Sequence, residues 1–144
     1  MVFFMIFIST DVYAKIIDQE KYERGVFAKK DIPLNTIVEL FPIIPLRFRT
    51  EYQFDPTIIH YSYVNDTCEC QECKKHGSII YFPMGYGGIY NYSSDQNSNI
   101  TIKIYYDKFY GEVISTKNIS KDEELLSKFE ESYIYRQVNS QSTK

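Results

Sequence analysis

The chain contains few of the residues that give many small proteins their stability or reactivity. Its 144 residues include no tryptophan, two histidines, three cysteines, five prolines and six glycines. The three cysteines are clustered, so they cannot form the disulfide framework of a small secreted domain. They indicate a reducing, intracellular compartment.

Strong net charge is also absent. The formal net charge is -3, and basic residues cluster only in the pairs Lys29-Lys30 and Lys74-Lys75. Direct nucleic-acid binding is therefore not expected, whereas a mildly acidic surface suits a basic peptide partner. The negative mean hydropathy argues against a membrane-embedded body. The length fits one domain with a sizeable core.

The N-terminus has two interpretations. Residues 2–8 form an apolar run, which is much shorter than the roughly 20 residues that cross a bilayer. Residues 12–14, Val-Tyr-Ala, resemble the small-residue pattern that precedes a signal-peptide cleavage site. Because no positive residue precedes the apolar run, we favour an N-terminal extension or first strand over residues 1–14, with secretion as the alternative.

Apolar and polar residues alternate mostly at strand period. The alternation predicts a hairpin over residues 100–106 and 109–115, and shorter strands at 16–17, 26–28 and 37–41. Turn chemistry separates these strands at 23–25 and 33–35. Helix is predicted only at 56–63 and 123–136. The chain thus reads as one mainly β domain with few short helices.

Three segments carry more specific information. The first is Arg24-Gly25-Val26-Phe27-Ala28, where glycine admits a positive φ or a close ligand, although such a segment is more often only a turn. The second is a glycine-rich stretch that ends in Tyr90-Asn91-Tyr92-Ser93, where the asparagine amide can both donate and accept. The third, residues 119–125, contains Glu-Glu-Leu after the predicted hairpin.

Together and in this order, the segments resemble the SET domain, a catalytic domain whose members transfer a methyl group from S-adenosylmethionine to lysine. The resemblance covers residues 15–130 and implies small sheets with a knot-like C-terminal core, leaving residues 131–144 as a tail. It also implies a set of residues near the cofactor. They are Arg24, Gly25, Phe27, Tyr90, Asn91 and Tyr92.

The chain departs from the family pattern at several positions. Glu23 stands where the family has a glycine, Tyr92 replaces a histidine, and Gln96 replaces a proline. Phe129 stands where the family has its active-site tyrosine, so it can line the lysine channel but has no hydroxyl to orient the amine. The candidates for supplying that hydroxyl are Tyr133 or Tyr135 from the C-terminal segment and Tyr86 or Tyr90 from the other side, with Tyr133 and Tyr86 preferred.

The resemblance implies an S-adenosylmethionine-dependent protein-lysine N-methyltransferase acting on a lysine-containing protein or peptide such as a histone. Two alternatives stay open: a catalytically impaired module that binds cofactor or peptide without transfer, and a zinc-stabilised interaction domain. A cytoplasmic or nuclear location is expected, in a host cell if the chain is viral. Small stand-alone domains of this family occur in large DNA viruses, and the Ile-, Tyr-, Asn- and Lys-rich composition suits an AT-rich genome.

One further cluster lies outside the family pattern. Cys68, Cys70, Cys73 and His76 form a ligand set suited to tetrahedral zinc. The spacing is tighter than in most paired-ligand sites, and the competing interpretation is a reduced surface loop. The usual cysteine cluster of SET proteins follows the core, so its role cannot be carried over to this one.

Overall fold

The computed structural model describes residues 7–8, 11–21, 23–46, 61–65, 68–76, 79–94 and 96–128. Within these ranges the chain forms ten strands and one short helix. The strands are β1 (Phe7–Ile8), β2 (Val12–Asp18), β3 (Glu23–Ala28), β4 (Ile37–Leu46), β5 (Tyr63–Asn65), β6 (Ile79–Pro83), β7 (Asn91–Ser93), β8 (Ile100–Tyr105), β9 (Tyr110–Ser115) and β10 (Leu126–Lys128). The helix is α1 (Gln71–His76).

The predicted hairpin is confirmed as β8 and β9. The two strands pair in antiparallel register from Ile100 opposite Ser115 to Tyr105 opposite Tyr110. The turn predicted at 33–35 is also present, and Asn35 adopts a positive φ of 63° that asparagine tolerates well. The alternation of apolar residues therefore predicted these strands well, because each packs one face against the core.

The larger sheet has the order β5-β6-β4-β9-β8-β10-β7, and β1 pairs with β4. Neighbouring strands are antiparallel, except that β10 runs parallel to both β7 and β8. β10 therefore lies between β7 and β8, which are consecutive in sequence. This arrangement is the predicted knot-like C-terminal core.

The smaller sheet consists of β2 and β3. Hydrogen bonds join β3 to the segment before β10: the Leu125 N–H donates to the Val26 carbonyl and the Ala28 N–H to the Glu123 carbonyl, at 2.8 and 3.0 Å. Val26 and Leu125 are both fully buried. The two sheets thus meet just before the chain enters β10.

Two sequence predictions are wrong in this region. Residues 23–25 do not form a turn, because β3 begins at Glu23 and pairs with β2. The turn lies at residues 19–21 instead, where the Asp18 carboxylate accepts hydrogen bonds from the Glu20 and Lys21 N–H groups. Residues 126–128 are strand, although helix was predicted over 123–136. The backbone N–H groups of Leu125 and Leu126 bind acceptors on other segments, so tertiary pairing overrides local helix propensity.

Several predictions fall on other parts of the chain. Most of the helix predicted over 56–63 lies outside the described residues, and its last residue, Tyr63, begins β5. The domain limits 15–130 and 131–144 stay predictions. Among the described residues, no helix is long and apolar enough to cross a membrane.

Candidate active site

Asn91 joins the three sequence segments. Its Nδ2 donates to the backbone carbonyl of Arg24 and to Oε1 of Glu124, both at 2.8 Å. The three residues come from β3, from the start of β7 and from the segment before β10. One side-chain amide thus fixes the mutual positions of segments that are far apart in sequence.

Gly25 lies close beneath this junction. A Cβ atom at this position would lie 2.5 Å from Oε1 of Glu124 and 2.8 Å from Cδ1 of Ile17. Both distances are shorter than real Cβ contacts, so any side chain here would push Glu124 away from Asn91. Here the glycine serves close packing beneath the Glu124 carboxylate.

A cleft of about 390 Å³ opens beside this junction. It lies between the start of β3 and the segment that leads into β7. Its lining residues are Lys21, Glu23, Arg24, Tyr61, Gly88, Ile89, Tyr90, Asn91 and Tyr92. An adjoining hollow of about 290 Å³ shares Arg24, Tyr61, Gly88 and Ile89 with it and extends toward Pro83 and Met84.

The cleft combines cationic and aromatic groups. Lys21 and Arg24 are exposed and carry positive charge, Glu23 carries negative charge, and Tyr61 and Tyr92 offer ring surface. Gly88 allows the wall to form, because a Cβ atom there would lie 2.9 Å from the Tyr61 carbonyl oxygen. Such a site suits a ligand that carries both a carboxylate and a planar ring.

A buried carboxylate lies behind the cleft wall. Glu39, on β4, is fully buried and accepts hydrogen bonds from the Tyr86 N–H and the Tyr90 hydroxyl, both at 2.9 Å. Burial raises the pKa of the Glu39 carboxyl, and the two hydrogen bonds offset part of that rise. Burial, followed by the charge of Glu39, raises the pKa of Tyr90 well above its ordinary value. Tyr90 therefore donates a proton to this bond and does not act as a base at neutral pH.

Asn99 ties β10 to the end of the loop that follows β7. This buried side chain accepts from the Leu126 N–H at 2.7 Å and donates to the Glu124 carbonyl at 2.8 Å. Its backbone N–H donates to the Leu126 carbonyl at 2.9 Å. Asn99 thus hydrogen-bonds to three backbone groups of Glu124 and Leu126 at the start of β10.

The structure brings part of the predicted cofactor set together. Arg24, Tyr90, Asn91 and Tyr92 line the cleft. Gly25 packs beneath Glu124 and is not among the lining residues of this cleft.

Phe27 has a different environment. Its ring stacks on Tyr13 with the centroids 5.8 Å apart, and Nζ of Lys15 lies 4.0 Å from the centre of the Phe27 ring. Phe27 is not among the residues that line either hollow described above. Its contacts indicate a packing role in the small sheet.

The predicted catalytic residues are only partly placed. Tyr86 is half-buried, packs against the core and donates its backbone N–H to Glu39. Phe129 and Tyr133 lie outside the described residues. The cleft described above contains four of the six residues that the resemblance assigns to the cofactor.

The three cysteine sulfurs lie within 4.8 Å of one another. Cys73 is buried, Cys68 is half-buried and Cys70 is exposed. A hydrogen bond with Cys70 and burial raise the pKa of the Cys73 thiol to about 11. In the metal-free protein this thiol is therefore not a reactive nucleophile. His76 is the last residue of α1.

Sequence reasoning missed Glu39, Asn99 and Tyr61. Glu39 could have been found, because it is the one acidic residue in the apolar run of β4 and stands two positions before the buried Phe41, on the core-facing side. Asn99 stands in no motif, and its role depends on contacts with Glu124 and Leu126, about 25 positions away. Tyr61 carries no motif, and only the tertiary fold brings it to the cleft.

Comparison with known proteins agrees with this architecture. The sequence model of the SET domain matches residues 23–130. Among solved structures, a candidate histone methyltransferase of Plasmodium falciparum is 23% identical, with a TM-score of 0.62 and coverage of 88% of this chain and 99% of that one. The methyltransferase domain of human PR domain-containing protein 2 is 14% identical, with a TM-score of 0.55 and coverage of 86% and 80%.

A third similar structure is ctPRC2, from Chaetomium thermophilum, in an autoinhibited conformation bound to S-adenosylmethionine. It is 16% identical, with a TM-score of 0.60, and the match covers 94% of this chain and 17% of that one. No curated protein matches the sequence. The family match over most of the chain, together with the inserted β10 and the junction at Asn91, shows that this chain belongs to the SET domain family.

Proposed function

We propose that the protein is an S-adenosylmethionine-dependent protein-lysine N-methyltransferase. One observation carries the proposal: Arg24 from the first family segment and residues 90–92 from the second line the same cleft. The family match supports it, as does the similarity to structures named as histone methyltransferases or bound to S-adenosylmethionine.

The cleft fits this cofactor in size and chemistry. Its volume of about 390 Å³ falls within the range of about 300 to 1,000 Å³ that is usual for small-molecule sites. Lys21 and Arg24 can bind the carboxylate of the methionine part. The rings of Tyr61 and Tyr92 can contact the adenine and the positive sulfonium group.

When bound, S-adenosylmethionine supplies an electrophilic methyl group on a sulfonium sulfur. The protein's own contribution is then to orient two reactants and exclude water, which requires no covalent nucleophile. Asn91 holds the two walls of the cleft together, and Glu39 fixes Tyr86 and Tyr90 from behind. These residues are positioning residues in the proposed reaction.

The attacking lysine must lose its proton before transfer. An aromatic channel lowers the lysine pKa by excluding water, and we assign Phe129 to the wall of that channel. Tyr133 or Tyr86 supplies the hydroxyl that orients the amine. A basic, lysine-containing peptide such as a histone tail is the proposed substrate, because the chain carries a net charge of -3.

Phe129 also favours a second candidate function, a SET module that binds cofactor or peptide without transferring a methyl group. Phenylalanine can form the channel wall but offers no hydroxyl to the amine. The two candidates share the cleft and differ only in turnover. They can therefore be separated by measuring binding and transfer on the same protein.

Calorimetric titration with S-adenosylmethionine tests the shared premise. Arg24→Gln removes the charge at similar size and should weaken binding about 10-fold, which corresponds to about 1.4 kcal/mol. Lys103→Gln, at an exposed lysine of β8, is the matched control and should bind like the unmodified protein. Absence of binding by the unmodified protein would refute the enzyme and the cofactor-binding form of the second candidate.

Transfer of a labelled methyl group to histones or cell lysate then separates the candidates. Transfer by the unmodified protein supports the enzyme. Binding without transfer, together with transfer gained in Phe129→Tyr, supports the impaired module.

A further inference from the structure

We propose that Cys68, Cys70, Cys73 and His76 bind one zinc ion. The site lies in the connection between β5 and β6, and its residues are separate from those that line the cofactor cleft. A zinc site here is independent of methyl transfer, so it would be retained in a protein that transfers nothing.

The positions of the three sulfurs carry the proposal. The sulfur atoms all lie within 4.8 Å of one another, although the residues occupy an irregular segment and a short helix. Tetrahedral zinc with Zn–S bonds of about 2.3 Å holds its sulfurs about 3.8 Å apart. A contraction of roughly 1 Å would bring the thiols to this geometry, which is within reach of side-chain rotation.

The surroundings suit thiolate ligands. The backbone N–H of Cys73 donates to Sγ of Cys70 at 3.4 Å, and this type of outer contact orients a metal-bound sulfur. Cys70 is exposed, so an ion can reach the cluster from solvent. A disulfide would consume two of the sulfurs and leave the third close by without a function, whereas one zinc ion uses all three.

His76 is assigned as the fourth ligand from its position in α1. It follows Cys73 by three residues, a spacing at which helical positions are neighbours. Three cysteines and one histidine form a common structural zinc set. A closed set of four protein ligands predicts a structural ion and not a catalytic one.

The position of the cluster indicates what the ion would stabilise. Cys73 belongs to the hydrophobic core, and Cys68 packs against it. The cluster therefore connects the core to the segment between β5 and β6, at the edge of the larger sheet. The folded protein holds the three sulfur atoms within 4.8 Å of one another, an arrangement that the unfolded chain does not maintain. Zinc should therefore bind the folded state more tightly and stabilise it.

The test begins with the metal content of the full-length protein, purified without chelators and measured by mass spectrometry. We expect one zinc per chain, protection of the exposed Cys70 thiol from alkylation, and a lower melting temperature after chelation. Zinc at less than about one-tenth of an equivalent, with a freely alkylated Cys70, would overturn the proposal. Loss of two thiols to a disulfide would overturn it as well.

Cobalt substitution then identifies the ligands. Cys70→Ser should weaken metal binding by more than the 10- to 100-fold that changes outside the ligand set cause. This position is exposed, and circular dichroism checks that the variant folds. Unchanged affinity in Cys70→Ser would refute the thiolate site.

The two histidines of the chain provide a matched pair. His76→Ala should shift the visible absorption of the cobalt protein and weaken binding, whereas His60→Ala should leave both unchanged. An unaltered cobalt spectrum in His76→Ala would overturn the assignment of the fourth ligand.

Discussion

Replacement of Tyr90 by phenylalanine should destabilise the protein in a way that depends on pH. The substitution keeps the buried ring and removes only the hydroxyl that donates to Glu39 at 2.9 Å. Tyr90 is 3% exposed and Glu39 is 0% exposed, so water cannot easily replace the lost donor. The Glu39 carboxylate would keep the hydrogen bond from the Tyr86 N–H.

The magnitude follows from the charge state of Glu39. A hydrogen bond to a charged group contributes about 1.5 to 3 kcal/mol, and one between neutral groups about 0.5 to 1.5 kcal/mol. Because the pKa of Glu39 is raised in the folded protein by burial, its contribution to stability is fully present below the ordinary value of 4.5 and is lost as pH rises through the folded pKa. The Tyr90 hydrogen bond lowers that folded pKa. Without this hydrogen bond the folded pKa of Glu39 is higher still, so more stability is lost as the pH rises toward it. The free-energy cost of Tyr90→Phe therefore grows with pH.

Urea denaturation at several pH values between 4 and 8 would measure this effect. We expect Tyr90→Phe to lose about 1 kcal/mol at the acidic end and about 2 to 3 kcal/mol near neutral pH. Tyr105→Phe, at a half-buried tyrosine of β8, is the matched control and should stay within about 0.5 kcal/mol of the unmodified protein at every pH. A cost that is the same at all pH values would show that Glu39 does not change its protonation as described here.

Three other substitutions test single contacts. Gly25→Ala should cost about 1 to 2 kcal/mol in urea denaturation, because its Cβ would lie 2.5 Å from Oε1 of Glu124; unchanged stability would show that Glu124 moves freely. Asn99→Ala should cost about 1 to 3 kcal/mol, since it removes the partners of two partly buried backbone groups, the Glu124 carbonyl and the Leu126 N–H, whereas exposed Asn97→Ala should cost less than about 0.5 kcal/mol; equal costs would refute this role of Asn99. Phe109→Gly should raise the melting temperature slightly, because exposed Phe109 has a φ of 59° that glycine adopts without strain; a lower melting temperature would show that its ring contributes more than its backbone strain costs.

The sequence predicted those parts of the fold that depend on neighbouring residues. The β8–β9 hairpin follows from alternation that continues along both strands, and the turn at Asn35 follows from local turn chemistry. The prediction was wrong at Glu23, where β3 pairs with β2 from its first residue, and at residues 126–128, where pairing with the distant β7 determines the conformation. Local propensity cannot report such partners.

The same distinction applies to the site. Arg24 and Asn91 match the family pattern, Tyr92 stands at one of its positions in place of a histidine, and the structure places all three in one cleft. Glu39 and Asn99 act through buried hydrogen bonds to residues dozens of positions away, so a sequence pattern alone does not assign their roles. Gly25 shows a third case: the resemblance assigns it to the cofactor, whereas the structure shows that the side chains of Glu124 and Ile17 occupy the space that a Cβ atom there would need.

The position of β10 has a consequence for the order of folding. β10 runs parallel to both neighbours, with Leu126 opposite Asn91 of β7 and Ser127 opposite Ile100 of β8. β7 and β8 must therefore be held apart by the width of one strand before β10 can enter. The β8–β9 hairpin can form by itself from neighbouring residues, whereas β10 needs a long loop to close first. The cleft should therefore be completed in the last step of folding. During synthesis on the ribosome, a chain that has not yet released β10 should have a formed hairpin but an incomplete cleft.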